Sequence, residues 1–512
     1  MGHRLARRTW HRRLGVWAAF ALMAGCHGSE SLTGAGGSGG QPGSGGQLGG
    51  PGGRGGAGAT GGAGPSGSSG ASGGAGAVGG SSAPGGSSGA SGGAGDGGGA
   101  GDGGGAGDGG QLGGSSGTAG AGGTAAGPFG NNVDILFMID DSSEMSEMQQ
   151  KLYAVLPEFI QALESGPTRP SLHLAVVSSD MGAPGDETTA IMCTTSGDQG
   201  AFQAAPRANS RLGVTCTDTS LQNGATFISD ANGMPNYTDP DLSTVLQCIA
   251  FLGDTGCGFE HQLASIDRAL GADGTGPAPA ANAGFLRPNA YLAIILLTNE
   301  DDCSAPPDTQ LYSLKVGGSN QQNLANALGP IANYRCNQFG HLCRDPAAGD
   351  PTALIEPPLT PPAHAQGTAT VPTLDLVDCA SNDTNGLLTP VSKFVNDIKA
   401  LKPDPDDQII VGAIAGPATP YTVLWAPEVG GQNVQQGELW PQLMHSCGSA
   451  GGYVNPEATQ HPTDGSFADP GVRIAQFASA FPHDVLGSVC DPDYSNVLSG
   501  VAGRIVQLVS QP

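Results

Sequence analysis

The stretch Val133-Asp134-Ile135-Leu136-Phe137-Met138-Ile139-Asp140-Asp141-Ser142-Ser143-Glu144-Met145 decides how the folded part of this chain is read. Its first seven residues are a nearly continuous apolar run, broken only by Asp134, with the length of a strand buried on both faces. After it, Met145, Met148, Leu152, Val155, Leu156, Phe159 and Leu163 recur at helical spacing, which predicts an amphipathic helix packed on the sheet.

Outward from this unit the two periodicities alternate. Strand patterns occupy Leu172 to Val177, Leu292 to Leu297 and Ile409 to Ala415. Helix patterns run through Phe259, Leu263, Ile266 and Leu270, and through Val497, Val501, Ile505 and Leu508. Another runs through Val391, Phe394, Val395 and Ile398, where Thr389-Pro390 offers a hydroxyl cap and a proline in the first turn. At least four strands separated by helices predict an α/β domain over residues 131–512 with a doubly wound, mostly parallel, Rossmann-like sheet. Two stretches rich in Cys, Pro, Asn and Asp, about 180–240 and 303–385, break the alternation. They are expected to be disulfide-stapled insertions and not a second core.

The N-terminus reads differently. Arg4, Arg7, Arg8, Arg12 and Arg13 precede a short apolar run from Leu14 to Ala24, the charge-then-apolar order of a secretory signal. That run is too short to span a bilayer. Leu22-Met23-Ala24-Gly25-Cys26 resembles a bacterial lipobox, with Met23 in place of the usual leucine, which implies cleavage after residue 25 and a diacylglyceryl group on Cys26. From there to residue 130 the chain is nearly all Gly, Ser and Ala, a composition that buries too little apolar surface to offset the entropy of ordering. A flexible tether is expected, with a mean end-to-end distance on the order of 50–60 Å for about a hundred such residues. The aspartate-bearing repeats at Asp96, Asp102 and Asp108 lack the apolar residue that a stacked calcium-binding repeat requires.

The formal charge of -25 grows more negative once the signal arginines leave, which argues against nucleic acid as a partner. Apart from Cys26, the cysteines are Cys193, Cys216, Cys248, Cys257, Cys303, Cys336, Cys343, Cys379, Cys447 and Cys490, an even set in a chain bound for an oxidising compartment. Five disulfides are expected, with Cys193 to Cys216, Cys248 to Cys257 and Cys447 to Cys490 preferred, and three pairings open for the other four. No CxxC pair or histidine spacing suggests zinc.

The oxygen-rich residues fall at strand ends, where open α/β sheets bind ligands. Ile139-Asp140-Asp141-Ser142-Ser143-Glu144-Met145 resembles the metal-ion-dependent adhesion motif of the von Willebrand factor type A domain, Asp-x-Ser-x-Ser. Asp140 and Ser142 match its first two ligands and Glu144 replaces the last serine. The strand ending at Thr298 matches the family's later strand, with Asn299 where an aspartate is usual, followed by Glu300, Asp301 and Asp302. Thr255 stands where the family's second-loop threonine is expected, with Glu260 as the alternative in another register. Asp180 is a further strand-end carboxylate, a residue type that commonly forms turns. The resemblance covers about half of residues 131–512. It implies a divalent cation held by Asp140, Ser142, Glu144, Thr255 or Glu260, Asn299, Asp301 and Asp302, with calcium preferred over magnesium because of the added carboxylates. A plain alternative is a capping box, with Asp141 capping the helix and Glu144 reaching back to it.

No HExxH, GxSxG or phosphate-cradling glycine loop is present, so a non-enzymatic role is expected. The leading expectation is a monomeric lipoprotein of a Gram-negative cell envelope, anchored in the outer membrane and periplasmic or surface-exposed, that binds a protein or other surface macromolecule. The alternatives are a scaffolding envelope protein with a vestigial metal site, and an exported metal-dependent hydrolase.

Overall fold

The computed structural model describes residues 128–183, 193–205, 216, 220–313, 326–329, 333–369, 371–427, 439–448 and 457–511. The signal segment, Cys26 and all but the last residues of the expected tether lie outside the described residues.

In chain order the elements are β1 (Asn132–Ile139), α1 (Ser146–Glu164), β2 (Ser171–Ser178), β3 (Ile228–Ala231), β4 (Met234–Pro235), α2 (Leu242–Ala250), α3 (Gln262–Leu270) and β5 (Tyr291–Leu297). They continue with α4 (Tyr334–Gly340), β6 (His341–Arg344), β7 (Leu354–Ile355), β8 (Gln366–Thr368), β9 (Val371–Ser381), α5 (Val391–Lys399), α6 (Pro405–Gln408) and β10 (Ile409–Ala415). The last are β11 (Tyr421–Pro427), β12 (Leu439–Leu443), β13 (Cys447–Gly448), β14 (Phe467–Ala468), α7 (Val472–Ala478), β15 (His483–Ser488) and α8 (Ser495–Val509).

A seven-stranded sheet runs β15-β10-β5-β1-β2-β3-β4. β15, β10, β5, β1 and β2 pair in parallel, and the short β3 and β4 close one edge antiparallel. The continuous apolar run of β1 is explained by burial on both faces. Val133, Ile135, Phe137 and Ile139 pack with residues of α1, α2 and α8, whereas Leu136 and Met138 pack with α3, α5 and α7. Asp134, the one break in the run, is fully buried and held by Arg287 through Oδ1 to Nε at 2.7 Å and Oδ2 to the backbone N–H at 2.7 Å. The periodic residues of α1, including Met145 and Met148, are core.

Three expectations need correction. The helix after Thr389-Pro390 has no hydroxyl cap. Instead the Val391 N–H donates to the Asp383 carboxylate at 3.0 Å, as the Ser392 N–H does at 3.3 Å. The second insertion does build a core. β6 to β9 join β11 and β12 in a six-stranded sheet of order β12-β11-β9-β6-β7, with β8 beside β9. Tyr334, Leu374, Leu376, Tyr421, Val423, Trp425 and Leu443 form its own apolar cluster.

The third correction concerns disulfides. All ten cysteines pair, as Cys193–Cys257, Cys216–Cys248, Cys303–Cys336, Cys343–Cys379 and Cys447–Cys490. The last is the expected pair, but Cys193–Cys216 and Cys248–Cys257 are not made. Cys248 sits on α2, whose apolar residues join one face of the sheet, and the chain then crosses the strand ends to start α3 on the other. Cys257 lies in that crossing, in a cluster with Phe259, Cys193 and Cys303, so each thiol meets a partner from the first insertion instead of its near neighbour. No helix among the described residues is long and apolar enough to cross a membrane.

Candidate functional site

The carboxyl ends of β1, β2 and β5 meet at Asp140, which is fully buried. Its backbone N–H donates to the Leu297 carbonyl at 2.9 Å, prolonging the ladder between β1 and β5. Oδ1 accepts from the Ser142 N–H at 2.8 Å and the Ser179 hydroxyl at 3.1 Å, and Oδ2 accepts from the Thr298 hydroxyl at 2.8 Å. Three adjacent strands thus each present a donor to one carboxylate. Burial pushes this carboxyl up, against the lowering effect of those hydrogen bonds.

The bond from Ser142 back to Asp140 shapes the loop as an Asx turn. Met145 then donates its N–H to the Ser142 carbonyl at 3.2 Å, so α1 starts only at Ser146, with Met145 as an N-cap that makes no side-chain bond. The capping box is therefore not formed, because this extra turn separates Asp141 from the helix. Gln149, buried on α1, does tie the site together. Its Nε2 donates to the carbonyls of Asp140 and Gly253, each at 2.8 Å, and its Oε1 accepts from the N–H groups of Leu252 and Gly253, each at 3.0 Å.

That clamp fixes the crossing segment that carries Thr255 and Glu260. The Gly256 N–H donates to the Asp141 carbonyl at 2.7 Å, and a Cβ on Gly256 would meet Asp141 Oδ1 at 2.3 Å, so only glycine allows this approach. Thr255 beside it is exposed. Glu260 is 2 % exposed and its Oε1 has no hydrogen-bond donor; Asn299, 1 % exposed, likewise has no donor for Oδ1. Gln262 donates from Nε2 to the Thr298 hydroxyl at 2.8 Å and leaves its buried Oε1 without a donor. The buried atoms left without a partner around this strand end are the oxygens of Glu260, Gln262 and Asn299, together with His261 Nε2.

Glu260 and Glu300 form a carboxyl pair. Burial, then the charges of Glu300 and Asp140, hold Glu260 well above the ordinary glutamate range. Burial, then Asp469, raise Glu300 in the same way, with Asp140 and Glu144 adding to the effect. Glu300 Oε2 also accepts from Asn333 Nδ2 at 2.6 Å. Glu144 is exposed at the rim, where partial desolvation raises its carboxyl, opposed by His445 and reinforced by Asp469 and Glu147.

Asp301 and Asp302 are engaged elsewhere. Asp301 accepts from the backbone N–H of Arg473 at 2.8 Å and of Ile474 at 3.1 Å, at the start of α7, and from His341 Nε2 at 2.7 Å. Burial raises it, but His341 and Arg473 outweigh that and leave it below the usual range. Asp302 accepts from the Leu263 N–H at 2.9 Å at the start of α3, from the Ser304 hydroxyl at 2.6 Å and from Arg473 Nη2 at 2.9 Å. Both carboxylates serve helix starts and ion pairs, so their lone pairs are spent away from Asp140. Asp180 accepts from the Gly182 N–H at 2.8 Å, a turn role.

Of the sequence candidates, Asp140, Ser142 and Glu260 lie together, Asn299 is buried next to the Thr298 that bonds Asp140, Glu144 stands at the rim, and Thr255, Asp301 and Asp302 do not join them. Sequence reading missed Gln149 and Ser179, and it missed His445 and Asp469. His445 Nδ1 and Asp469 Oδ1 are 2.8 Å apart, and the Asp469 N–H donates to the Asn299 carbonyl at 2.9 Å. Burial lowers His445, but Asp469 and Glu144 raise it further. No local pattern links these two residues to a strand more than a hundred positions earlier.

No protein-family model matches the chain, and no curated protein matches it. Among the described residues no group of three or more His, Cys, Asp or Glu side chains has a metal-holding arrangement. The oxygens at this strand end are instead mixed, two carboxylates with a hydroxyl, and a buried amide on the residue after Thr298. Hard-cation chemistry accepts such a set, since calcium takes carboxylate, amide and hydroxyl oxygens together.

Proposed function

We propose that this protein is an exported lipoprotein, anchored through Cys26 and extended on its glycine-rich segment, whose α/β domain is of the von Willebrand factor type A kind and binds a surface macromolecule through a calcium ion. The reading is carried by one observation. Asp140, buried at the end of the central strand, lies in the field of Glu260, whose buried Oε1 has no donor, and is bonded by Thr298, whose chain neighbour Asn299 also has a buried oxygen without a donor. Buried acceptors left without partners cost about 1–3 kcal/mol each, and a cation removes that cost.

The order of the major strands supports the fold reading. Taken along the sheet, β3, β2, β1, β5, β10 and β15 follow the doubly wound arrangement in which the chain reverses direction beside the first strand. Asp140 stands at that switch point. Asp140, Ser142, Asn299 and Glu260 would hold the ion, whose positive charge would balance the buried carboxylates; Ser179, Thr298 and Gln149 would keep Asp140 in place.

Thermal unfolding of the mature chain in calcium, in magnesium and in chelator tests this. Binding to the native state raises the midpoint with ligand concentration. Calcium is expected to raise it more than magnesium, and Asp140→Ala to remove the rise. Equal midpoints in calcium and chelator, with no metal by elemental analysis, would reject the reading.

A further inference from the structure

At the opposite edge of the same sheet, where the strands begin, lies a cavity of about 100 Å³. β5 begins there at Tyr291 and β15 at His483, and the last turn of α8 passes over both with Leu508. Phe129, just before β1, and Tyr291 form one wall, their rings 5.7 Å apart and nearly perpendicular. The Tyr291 hydroxyl is spent on the Leu508 carbonyl at 3.1 Å, so this wall is largely apolar. The other side carries charge. Arg504 of α8 and Asp407 of α6 line the same cavity, yet neither has an ion pair within 4.0 Å among the described residues. The Arg504 guanidinium bonds only the Gln507 side chain, at 3.1 Å, whereas the neighbouring Asp406 is already paired with Lys399 at 3.1 Å. His483 also lines the cavity and stands in the field of both Arg504 and Asp407, and its Nε2 is shut off from water without a partner.

A guanidinium and a carboxylate that share a cavity without pairing each other suit a ligand that carries both charges. A plain anion drawn to Arg504 would be repelled by Asp407, and a plain cation drawn to Asp407 would be repelled by Arg504. A zwitterion answers both. We propose that this cavity binds a small α-amino acid, about alanine in size, with its carboxylate on Arg504, its ammonium on Asp407 and its side chain against Phe129, Tyr291 and Leu508. The size follows from the volume, which is smaller than the roughly 150 Å³ that encloses a benzene ring. The ammonium also gains from the carboxyl end of α8, the negative end of the helix dipole. His483 Nε2 gives a third contact in either tautomer, accepting from the ammonium or donating to the carboxylate. Because these groups stand at the start of the strands and Asp140 at their carboxyl ends, the proposal is independent of the calcium reading.

Ligand-observed NMR titration of the mature full-length chain with L-alanine, propionate and ethylamine, all in chelator, tests this. A site that pairs two charges rejects an analogue lacking one, because its own group is then left unpaired, so alanine is expected to bind about tenfold or more tighter than either half. Arg504→Gln and Asp407→Asn should each weaken alanine by a similar factor, with the thermal midpoint of each variant reading whether it folds. Should a variant fail to fold, alanine methyl ester and N-acetylalanine, which each keep one charge, make the same comparison on the wild type and should bind as weakly as the halves. Propionate binding as tightly as alanine would make this an anion site, and ethylamine binding as tightly a cation site. Either result, or no binding of alanine at tens of millimolar, overturns the proposal.

Discussion

Glu260, Glu300 and Asp140 are each held above their ordinary carboxyl range, burial being the first cause in all three. The metal-free native state therefore binds more protons than the unfolded chain. With this sign, the stability these groups contribute is fully present below the unfolded values near 4, and it is lost as pH rises through the folded values. These three groups pull midpoints in chelator down between pH 5 and pH 8, against the rise contributed over the same range by His261, whose buried imidazole is held down to about 3. Since calcium and protons compete for the same oxygens, the gain on adding calcium should be larger at pH 8 than at pH 5, and a gain independent of pH would count against a carboxylate site. Asp267 must be separated from this effect. Burial, then the charge of Asp397 on α5, carry its pKa up to about 8, against the opposing charge of Lys393. Asp267→Asn supplies the shared hydrogen permanently, and is expected to raise the midpoint on the order of 2 °C at pH 8, in calcium and chelator alike. A loss of stability would show that Asp267 is ionised in the fold.

At the scale of elements, Asp301 and Asp302 join the end of β5 to α7 and α3, while Arg473 spans Asp302, the Ser381 hydroxyl at 2.9 Å and the Thr389 carbonyl at 2.7 Å. Arg473 and Asp302 are both buried, so removing one leaves the other uncompensated. Arg473→Met should cost about 3–5 kcal/mol in denaturant unfolding, and Asp302→Asn in the same chain should recover part of that. The single Asp302→Asn variant should keep the calcium shift, because Asp302 is outside the site; losing it would return Asp302 to the ligand set. The same elements show what could be read from the chain alone. β1, α1, β5, β10 and α8 were legible because burial on two faces or on one stripe writes a strong period into the sequence. β15 was not, since His483–Ser488 is an edge strand with mostly half-buried residues. β9 was hidden in the same way, for only Leu374 and Leu376 point inward. At the candidate site, Asp140 and Ser142 can be placed together from the sequence because one loop carries both. Asp301 and Asp302 are engaged at helix starts, and a carboxylate that caps a helix looks, in sequence, like one that binds a cation. His445 and Asp469 could be found only once the tertiary structure had brought them beside Asn299.

The whole molecule joins an acidic folded domain to an N-terminal segment of opposite character. The five arginines and the apolar run before Cys26 carry no information for the α/β fold, and residues Gly28 to Gly130 carry almost no apolar surface, so neither is explained by the domain. The anchor and spacer proposed above would account for both. A diacylglyceryl group and a further acyl chain on Cys26 would bury enough methylene, at about 0.8 kcal/mol each, to hold the protein at a membrane. On the proposed reading, anionic headgroups would repel the negative domain, and a spacer of about a hundred residues would let it stand off from them. Cys26→Ser should therefore move the protein from the membrane fraction to the soluble one without changing the midpoint of thermal unfolding, since the five disulfides use the other cysteines. Mass spectrometry of the wild type should find acylation on the Cys26 peptide. Deleting most of the glycine-rich segment while keeping Cys26 separates the two roles: the shortened protein should stay in the membrane fraction and retain its calcium shift, but reach fewer large immobilised ligands from intact cells or vesicles. If Cys26→Ser leaves the protein membrane-bound and of unchanged mass, the anchor is elsewhere, and the glycine-rich segment loses its role as a spacer from the bilayer.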